Sequence, residues 1–169
     1  MIRKLVFTDF NDILRVVNEA AEVYEGVIPA DRWKEPYMPA EELREEISAG
    51  VKFYGYEKDG KVIGVMGIQK VRDVTLLRHA YVLTRHQRNG VGAQLLKYLL
   101  KLAKTSAILV GTWEAAWWAI RFYEKNGYVL LPRQDIDRLL RQYWSIPERQ
   151  IVTSVVLANR NTLNEDHFR

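Results

Sequence analysis

Residues 79–96 switch from one repeat to another within a few positions, and no other stretch constrains the fold as much. His79-Ala80-Tyr81-Val82-Leu83 closes a β-rich run that begins at Val74, and Thr84-Arg85-His86-Gln87-Arg88-Asn89 is a polar turn. Gly90-Val91-Gly92 then opens a segment whose Val91, Leu95, Leu99 and Leu102 recur at helical spacing, which predicts a helix over Gly90–Lys104. A strand that feeds a helix through a glycine turn has a chemical consequence. The first N–H groups of a helix lack internal partners, and the helix dipole makes that end positive. Glycine has no Cβ to hold a phosphate away from the backbone. The stretch therefore predicts an anion site suited to a pyrophosphate.

The rest of the chain supplies the frame. Ile2–Phe7 reads as a first strand, and Thr8-Asp9 caps a helix carrying Phe10, Ile13, Leu14, Val17, Ala21 and Tyr24 on one stripe. Gly26–Pro39, with Pro29, Pro36 and Pro39, reads as a long loop, and Ala40–Ala49 as a short helix closed by Gly50. Val51–Glu57 and Val62–Gln69 flank Asp59-Gly60, a hairpin signal, and Val74–Leu83 is the next strand. Further on, Ala107–Val110 reads as a strand, Glu114–Asn126 as a helix capped by Gly127, Tyr128–Leu131 as a strand, and Ile151–Leu157 as the last strand. Asp135–Tyr143 fits either a helix or an irregular excursion. The resulting order, β-α-α-β-β-β-α-β-α-β-β, is mixed α/β. One domain is expected over residues 1–158, followed by a polar, frayed tail over 159–169.

Composition narrows the chemistry. The chain has 169 residues, 48% hydrophobic and 27% charged, with a net charge of +4, which is globular and mildly basic. There is no cysteine, so disulfides, a cysteine nucleophile and an enzyme-bound thioester are excluded. His79, His86 and His167 are not at a metal-ligand spacing, so no metal is expected. No signal peptide or membrane span is readable, and a soluble cytoplasmic protein with no membrane partner is the expectation.

The turn departs from the better-known phosphate loops. GxxxxGK[ST] is absent, and Gly90-Val91-Gly92-Ala93-Gln94-Leu95 places Leu95 where a dinucleotide fingerprint needs a third small residue. Gln87-Arg88-Asn89-Gly90-Val91-Gly92 instead matches Gln/Arg-x-x-Gly-x-Gly/Ala. There the chain resembles the GNAT superfamily of acyl-CoA-dependent N-acyltransferases. Ala119-Ile120-Arg121-Phe122-Tyr123-Glu124-Lys125-Asn126-Gly127-Tyr128 is similar to that superfamily's second signature, and the resemblance is best from about Lys61 to Leu131.

The resemblance implies a central mixed, mostly antiparallel sheet of about seven strands flanked by helices. It also implies an acetyl-CoA cosubstrate and an N-acetyltransferase activity. The cofactor pyrophosphate is expected on Gln87, Arg88, Asn89, Gly90, Val91, Gly92 and Ala93. The pantetheine arm is expected along Ala80, Tyr81 and Val82, in the manner of an added strand. The Val82 N–H would polarise the acetyl carbonyl. Tyr123 is the expected proton donor to the departing thiolate. Where some members carry a glutamate base, this chain has Leu76 and Gly111, so His79 and Glu114 become the candidate bases, with Glu35 a more distant one. Ala116 stands where an asparagine is common, followed by Trp117 and Trp118. Trp33, Glu35 and Tyr37, together with Glu41, are expected to line the acceptor site, and Tyr143 and Trp144 to close it or cover the core.

The expected partner is a small-molecule or peptide amine. Two other classes compete with the enzyme: a CoA-binding sensor or complex subunit without turnover, and a basic nucleic-acid binder resting on Arg85-His86-Gln87-Arg88. The last is disfavoured because the helix that follows is mostly aliphatic. Ile151–Leu157 is a candidate strand for pairing or swapping in a homodimer.

Overall fold

A computed structural model describes residues 1–163 of the chain. The hairpin signal holds: β2 (Lys52–Lys58) and β3 (Lys61–Val71) pair antiparallel, with Lys58 opposite Lys61. Asp59 (φ 50°) and Gly60 (φ 72°) both take the left-handed conformation that a tight two-residue turn requires. β4 (Val74–Val82) continues the meander against β3. Before the hairpin come β1 (Ile2–Lys4), α1 (Phe10–Ala21) and α2 (Ala40–Ser48). After β4 come α3 (Val91–Leu102), β5 (Ala107–Trp113), α4 (Trp117–Lys125) and β6 (Tyr128–Leu130). The chain continues through α5 (Arg133–Tyr143), α6 (Glu148–Ile151), β7 (Ser154–Asn159) and the single turn α7 (Arg160–Leu163).

One seven-stranded sheet results, in the order β1-β2-β3-β4-β5-β7-β6. Only the β4–β5 pair is parallel. This is the mixed, mostly antiparallel seven-stranded sheet expected from the resemblance. α1 lies on β3 and β4, α3 on β2, β3 and β4, and α5 on β7. Leu76, Leu77, Leu95, Leu96, Leu99, Leu109 and Leu157 are sealed between sheet and helices. Each such side chain contributes about 1.5–3 kcal/mol through loss of apolar surface from water.

Several boundaries differ from the sequence reading, each for a local reason. The first strand stops at Lys4 because Arg3 turns to bind Asp9 and Glu57, and the Asp9 carboxylate accepts the Val6 N–H at 2.7 Å, which starts a tight turn. The helix expected from Glu114 begins only at Trp117, because β5 runs on to Trp113 and the Glu114 N–H donates to the Thr153 carbonyl (2.9 Å). The last strand starts at Ser154, since Pro147 opens a short helix at Glu148–Ile151. Residues 159–163 are not a frayed tail. Asn159 ends β7, and the fully buried Thr162 hydroxyl accepts the Ile108 N–H at 3.0 Å. Positions 164–169 of the expected tail, His167 among them, lie outside the described residues. β7 is paired on both sides, so the strand considered for joining two copies offers no free edge; the edges belong to β1 and β6.

Candidate active site

β4 and β5 begin side by side and then part. Their parallel register runs from Val74 opposite Ala107 to Leu77 opposite Val110 and stops there, although β4 continues to Val82 and β5 to Trp113. Past that point each strand is held by its outer neighbour. Tyr81 and Val82 stay paired to β3, while Gly111, Thr112 and Trp113 pair with β7. The split has a local cause in β4. His79 is left-handed (φ 53°), and Met66 of β3 faces two residues of β4, a bulge that turns the strand away from β5. Gly67 permits this, because a Cβ there would lie 3.0 Å from the Arg78 carbonyl.

A cleft of about 130 Å³ fills the wedge. Phenols and indoles dominate its wall: Tyr24 from the turn after α1, Tyr37 from the loop before α2, Tyr81 from β4, Trp113 from β5, Tyr123 from α4 and Trp144 after α5. The Trp113 Nε1–H donates to Tyr37 Oη at 2.7 Å. Burial, and then the neighbouring Tyr24 and Tyr37, push the Tyr81 phenol well above its ordinary range. Burial also raises Tyr24, Tyr37 and Tyr123. All four phenols therefore stay neutral at physiological pH, and this wall offers hydrogen bonds without charge. No Asp or Glu lines the cleft among the described residues.

The turn into α3 lies at the end of β4. Gly90 is left-handed (φ 77°), no side chain caps the helix, and its first bond is Gln94 N–H to the Gly90 carbonyl at 3.0 Å. The N–H groups of Val91, Gly92 and Ala93 therefore have no acceptor within the helix. Gln87 to Gly90 are exposed around them. An uncapped helix end with glycine at its entrance fits a pyrophosphate-bearing group. Gln87 also holds the turn in place. Its side-chain amide donates to the Val82 carbonyl at 3.0 Å and ties the turn to the end of β4. Gly92 is needed for packing as well, because a Cβ there would meet the Phe122 ring at 3.2 Å.

The remaining expected residues divide. Ala80, Tyr81 and Tyr123 line the cleft, and the edge of β4 beyond Leu77 is free to take a strand-like ligand. The backbone of His79 turns at the cleft, but its imidazole lies 3.0 Å from Glu46 of α2 and stacks on Phe53. Arg78 binds the same carboxylate at 2.9 Å. Burial raises the Glu46 carboxyl, yet hydrogen bonding and charge from His79 and Arg78 outweigh it and hold the group below its ordinary range. Glu114 is exposed just beyond β5, Glu35 is exposed in the loop, and neither lines the cleft. Glu41 pairs with Arg44 at 3.1 Å. Trp33 stacks on Tyr37 with ring centres 5.9 Å apart.

The model of an acetyltransferase (GNAT) domain matches residues 18–138. This chain belongs to the GNAT acetyltransferase family. No curated protein sequence matches it. Among solved structures it is similar to the PaiA N-acetyltransferase of Thermoplasma acidophilum in complex with coenzyme A, at 19% identity and a TM-score of 0.70, over 94% of this chain and 97% of that one. A GNAT-family acetyltransferase of Staphylococcus aureus gives 14%, 0.72, 94% and 97%. The ribosomal-protein-S18-alanine N-acetyltransferase of Escherichia coli gives 16%, 0.65, 100% and 98%. At these identities the likeness is one of fold.

As a GNAT domain, the chain shows features its sequence did not announce. Tyr24 sits on the first helical stripe and reads as core, yet its phenol reaches the cleft. Gly111, at a position where a base is missing, has its space filled: a Cβ there would lie 3.2 Å from the Trp144 indole. Ala116 is fully buried beside Trp113, in a satellite cluster with Tyr24 and Ile28. Among the described residues no helix is long and apolar enough to cross a membrane, and no group of three or more His, Cys, Asp or Glu could hold a metal.

Proposed function

We propose that this chain transfers an acetyl group from acetyl-CoA to a primary amine by direct attack in a ternary complex. The observation that carries the reading is the wedge between β4 and β5, which opens beside the uncapped start of α3. The pyrophosphate would lie on the N–H groups of Val91, Gly92 and Ala93, with the glycines keeping the approach open. The pantetheine arm would follow the free edge of β4 at Ala80–Val82, placing the thioester within the cleft. The relative crystallised with coenzyme A supports a cosubstrate of this type.

With no cysteine in the chain, the amine attacks the thioester carbon directly. The C–S bond breaks, and sulfur leaves with the electron pair. Tyr123, buried and protonated, would lend a proton to that sulfur, and the proton shed by the attacking nitrogen would return to the phenol, leaving the amide, the thiol and a neutral Tyr123. None of the cleft phenols can act as the base, because each is pushed upward. His79 is committed to Glu46. The acceptor therefore reacts from the fraction already neutral, which makes the rate climb with pH through the acceptor's own ionisation.

Calorimetric titration with acetyl-CoA tests the cradle. Binding at micromolar affinity or tighter, followed by amine-dependent thiol release, is the expected result; no binding sinks the assignment. A second reading, a CoA-binding subunit without turnover, draws on the lack of any carboxylate in the cleft among the described residues. It expects Tyr123→Phe to change nothing, whereas the enzyme reading expects a loss of turnover with binding retained.

A further inference from the structure

On the acetyltransfer reading of this cleft, we propose that the acceptor is the α-amine of a peptide, laid along the free inner edge of β5 and held by the phenols of Tyr37 and Tyr81. The wedge has an unpaired edge on each side. The β4 edge at Ala80–Val82 takes the pantetheine arm on that reading, which leaves the β5 edge without a ligand. Gly111, Thr112 and Trp113 of that edge all line the cleft, and past Val110 no strand lies on their inner side. β7 pairs with their outer side alone. A strand offers N–H and C=O groups to both sides, so this edge presents neutral donors and acceptors in a row. An extended peptide backbone is the complementary row.

The wall beside that edge has the same character. The Trp113 Nε1–H donates to Tyr37 Oη at 2.7 Å, so the Tyr37 hydroxyl keeps its own proton to give. The Tyr81 phenol is within hydrogen-bonding reach of Tyr24 and Tyr37, and the Tyr24 phenol is within reach of Thr112. Stacking fixes two of the rings, Trp33 on Tyr37 at 5.9 Å and Trp118 on Tyr24 at 6.1 Å. Tyr37 and Tyr81 each keep part of their surface open. Charges near the phenols come in opposite pairs. Arg78, which lines the cleft, is held by Glu46 at 2.9 Å and donates to Gln69 at 3.2 Å. Glu42 and Arg32 act on Tyr37 with opposite sign. A free amino acid would bring its carboxylate to a guanidinium already neutralised. A polyamine would bring cations to a wall that holds no Asp or Glu among the described residues. A peptide brings amides, which neutral hydroxyls and a strand edge satisfy.

The reacting nitrogen fits as well. Leu76 and Gly111 supply no base, so the amine must arrive neutral. With pKa values of about 7.7–8.0 for an α-amine and about 10.4 for a lysine, the neutral share at pH 7.5 is roughly a third against a thousandth.

Thiol release from acetyl-CoA is measured with four acceptors: an alanine tripeptide amide, the same peptide blocked at its N-terminus and carrying one lysine, free alanine, and spermidine. Acetyl-CoA affinity is measured alongside by calorimetry. At pH 7.5 the free peptide is expected to exceed the blocked peptide and spermidine in kcat/KM by roughly a hundredfold or more, and free alanine by roughly tenfold or more. Its kcat/KM should climb with pH and level near about pH 8, at the peptide's own ionisation. Tyr37→Phe keeps the ring and removes the hydroxyl, so the peptide KM should rise roughly fivefold or more with acetyl-CoA affinity retained. Tyr24→Phe, which spares the Trp113 bond, reads the same wall if the first variant fails to fold. Lysine, spermidine or free alanine used as well as the peptide overturns the proposal while leaving acetyl transfer intact. So does a rate that levels a pH unit or more below the peptide's ionisation, or a peptide KM that neither variant moves. Acetyl-CoA binding without turnover of the peptide overturns it too. A wild-type chain that fails to bind acetyl-CoA brings down the enzyme reading, and this inference with it.

Discussion

The same two strands, β4 and β5, behave differently along their length. In the first half, Val74–Leu77 and Ala107–Val110 hydrogen-bond to each other, and Leu76 and Leu109 are fully buried. In the second half the strands share no pairing, and Tyr81, Trp113 and their neighbours from four other segments line the gap with phenol and indole edges. The first half spends every backbone group on stability. The second leaves backbone donors and acceptors free for a ligand and depends on the outer strands β3 and β7 to remain in the sheet.

That contrast can be broken by experiment. The largest effect belongs to the closed half: Leu109→Ala should cost about 2–5 kcal/mol by leaving a cavity. Thermal unfolding reads the loss, and acetyl-CoA stoichiometry at low temperature should survive; a variant that kept its stability but lost the cofactor would reverse the assignment of the two halves. In the open half, Tyr123→Phe should lower kcat by about 100-fold or more with little change in unfolding temperature. An unchanged kcat would move the proton donor elsewhere.

Gly92→Ala joins the two regions, since its Cβ would meet Phe122 at 3.2 Å. It should cost about 1–3 kcal/mol and weaken acetyl-CoA binding in calorimetry. Equal affinity would show that the start of α3 tolerates displacement.

The smallest effect comes from the clasp beneath the bulge. Glu46→Gln should cost about 1 kcal/mol near neutrality, because Arg78 and His79 lose their charged partner. The Glu46 carboxyl lies below its ordinary value of 4.5 in the folded chain. Its contribution is therefore present above that value and lost as pH falls through the folded value. Unfolding temperatures of wild type and variant should converge as the pH falls through the folded value; a constant gap would show that Glu46 acts by packing.

What the sequence made legible follows from contact range. The glycine turn, the hairpin at Asp59-Gly60 and the helix bearing Phe122 and Tyr123 are local patterns, and each is present, the last with its start moved from Glu114 to Trp117. The wedge is not local. It needs a left-handed histidine at position 79, a conformation no propensity marks, and the pairing of β5 with a strand more than forty residues away. The histidine's side chain reads as a candidate base because its pKa suits the task, yet Glu46, thirty-three positions earlier, takes it. Tyr24 was hidden by its regularity: helical spacing marks a buried face without revealing that this face ends at a cleft.

The contact between Gly111 and Trp144 couples these two positions. A Cβ at 111 would lie 3.2 Å from the indole, so a side chain there is accommodated only if the ring gives way by a few tenths of an ångström. An exchange at 111 should therefore be tolerated better together with a smaller residue at 144 than alone.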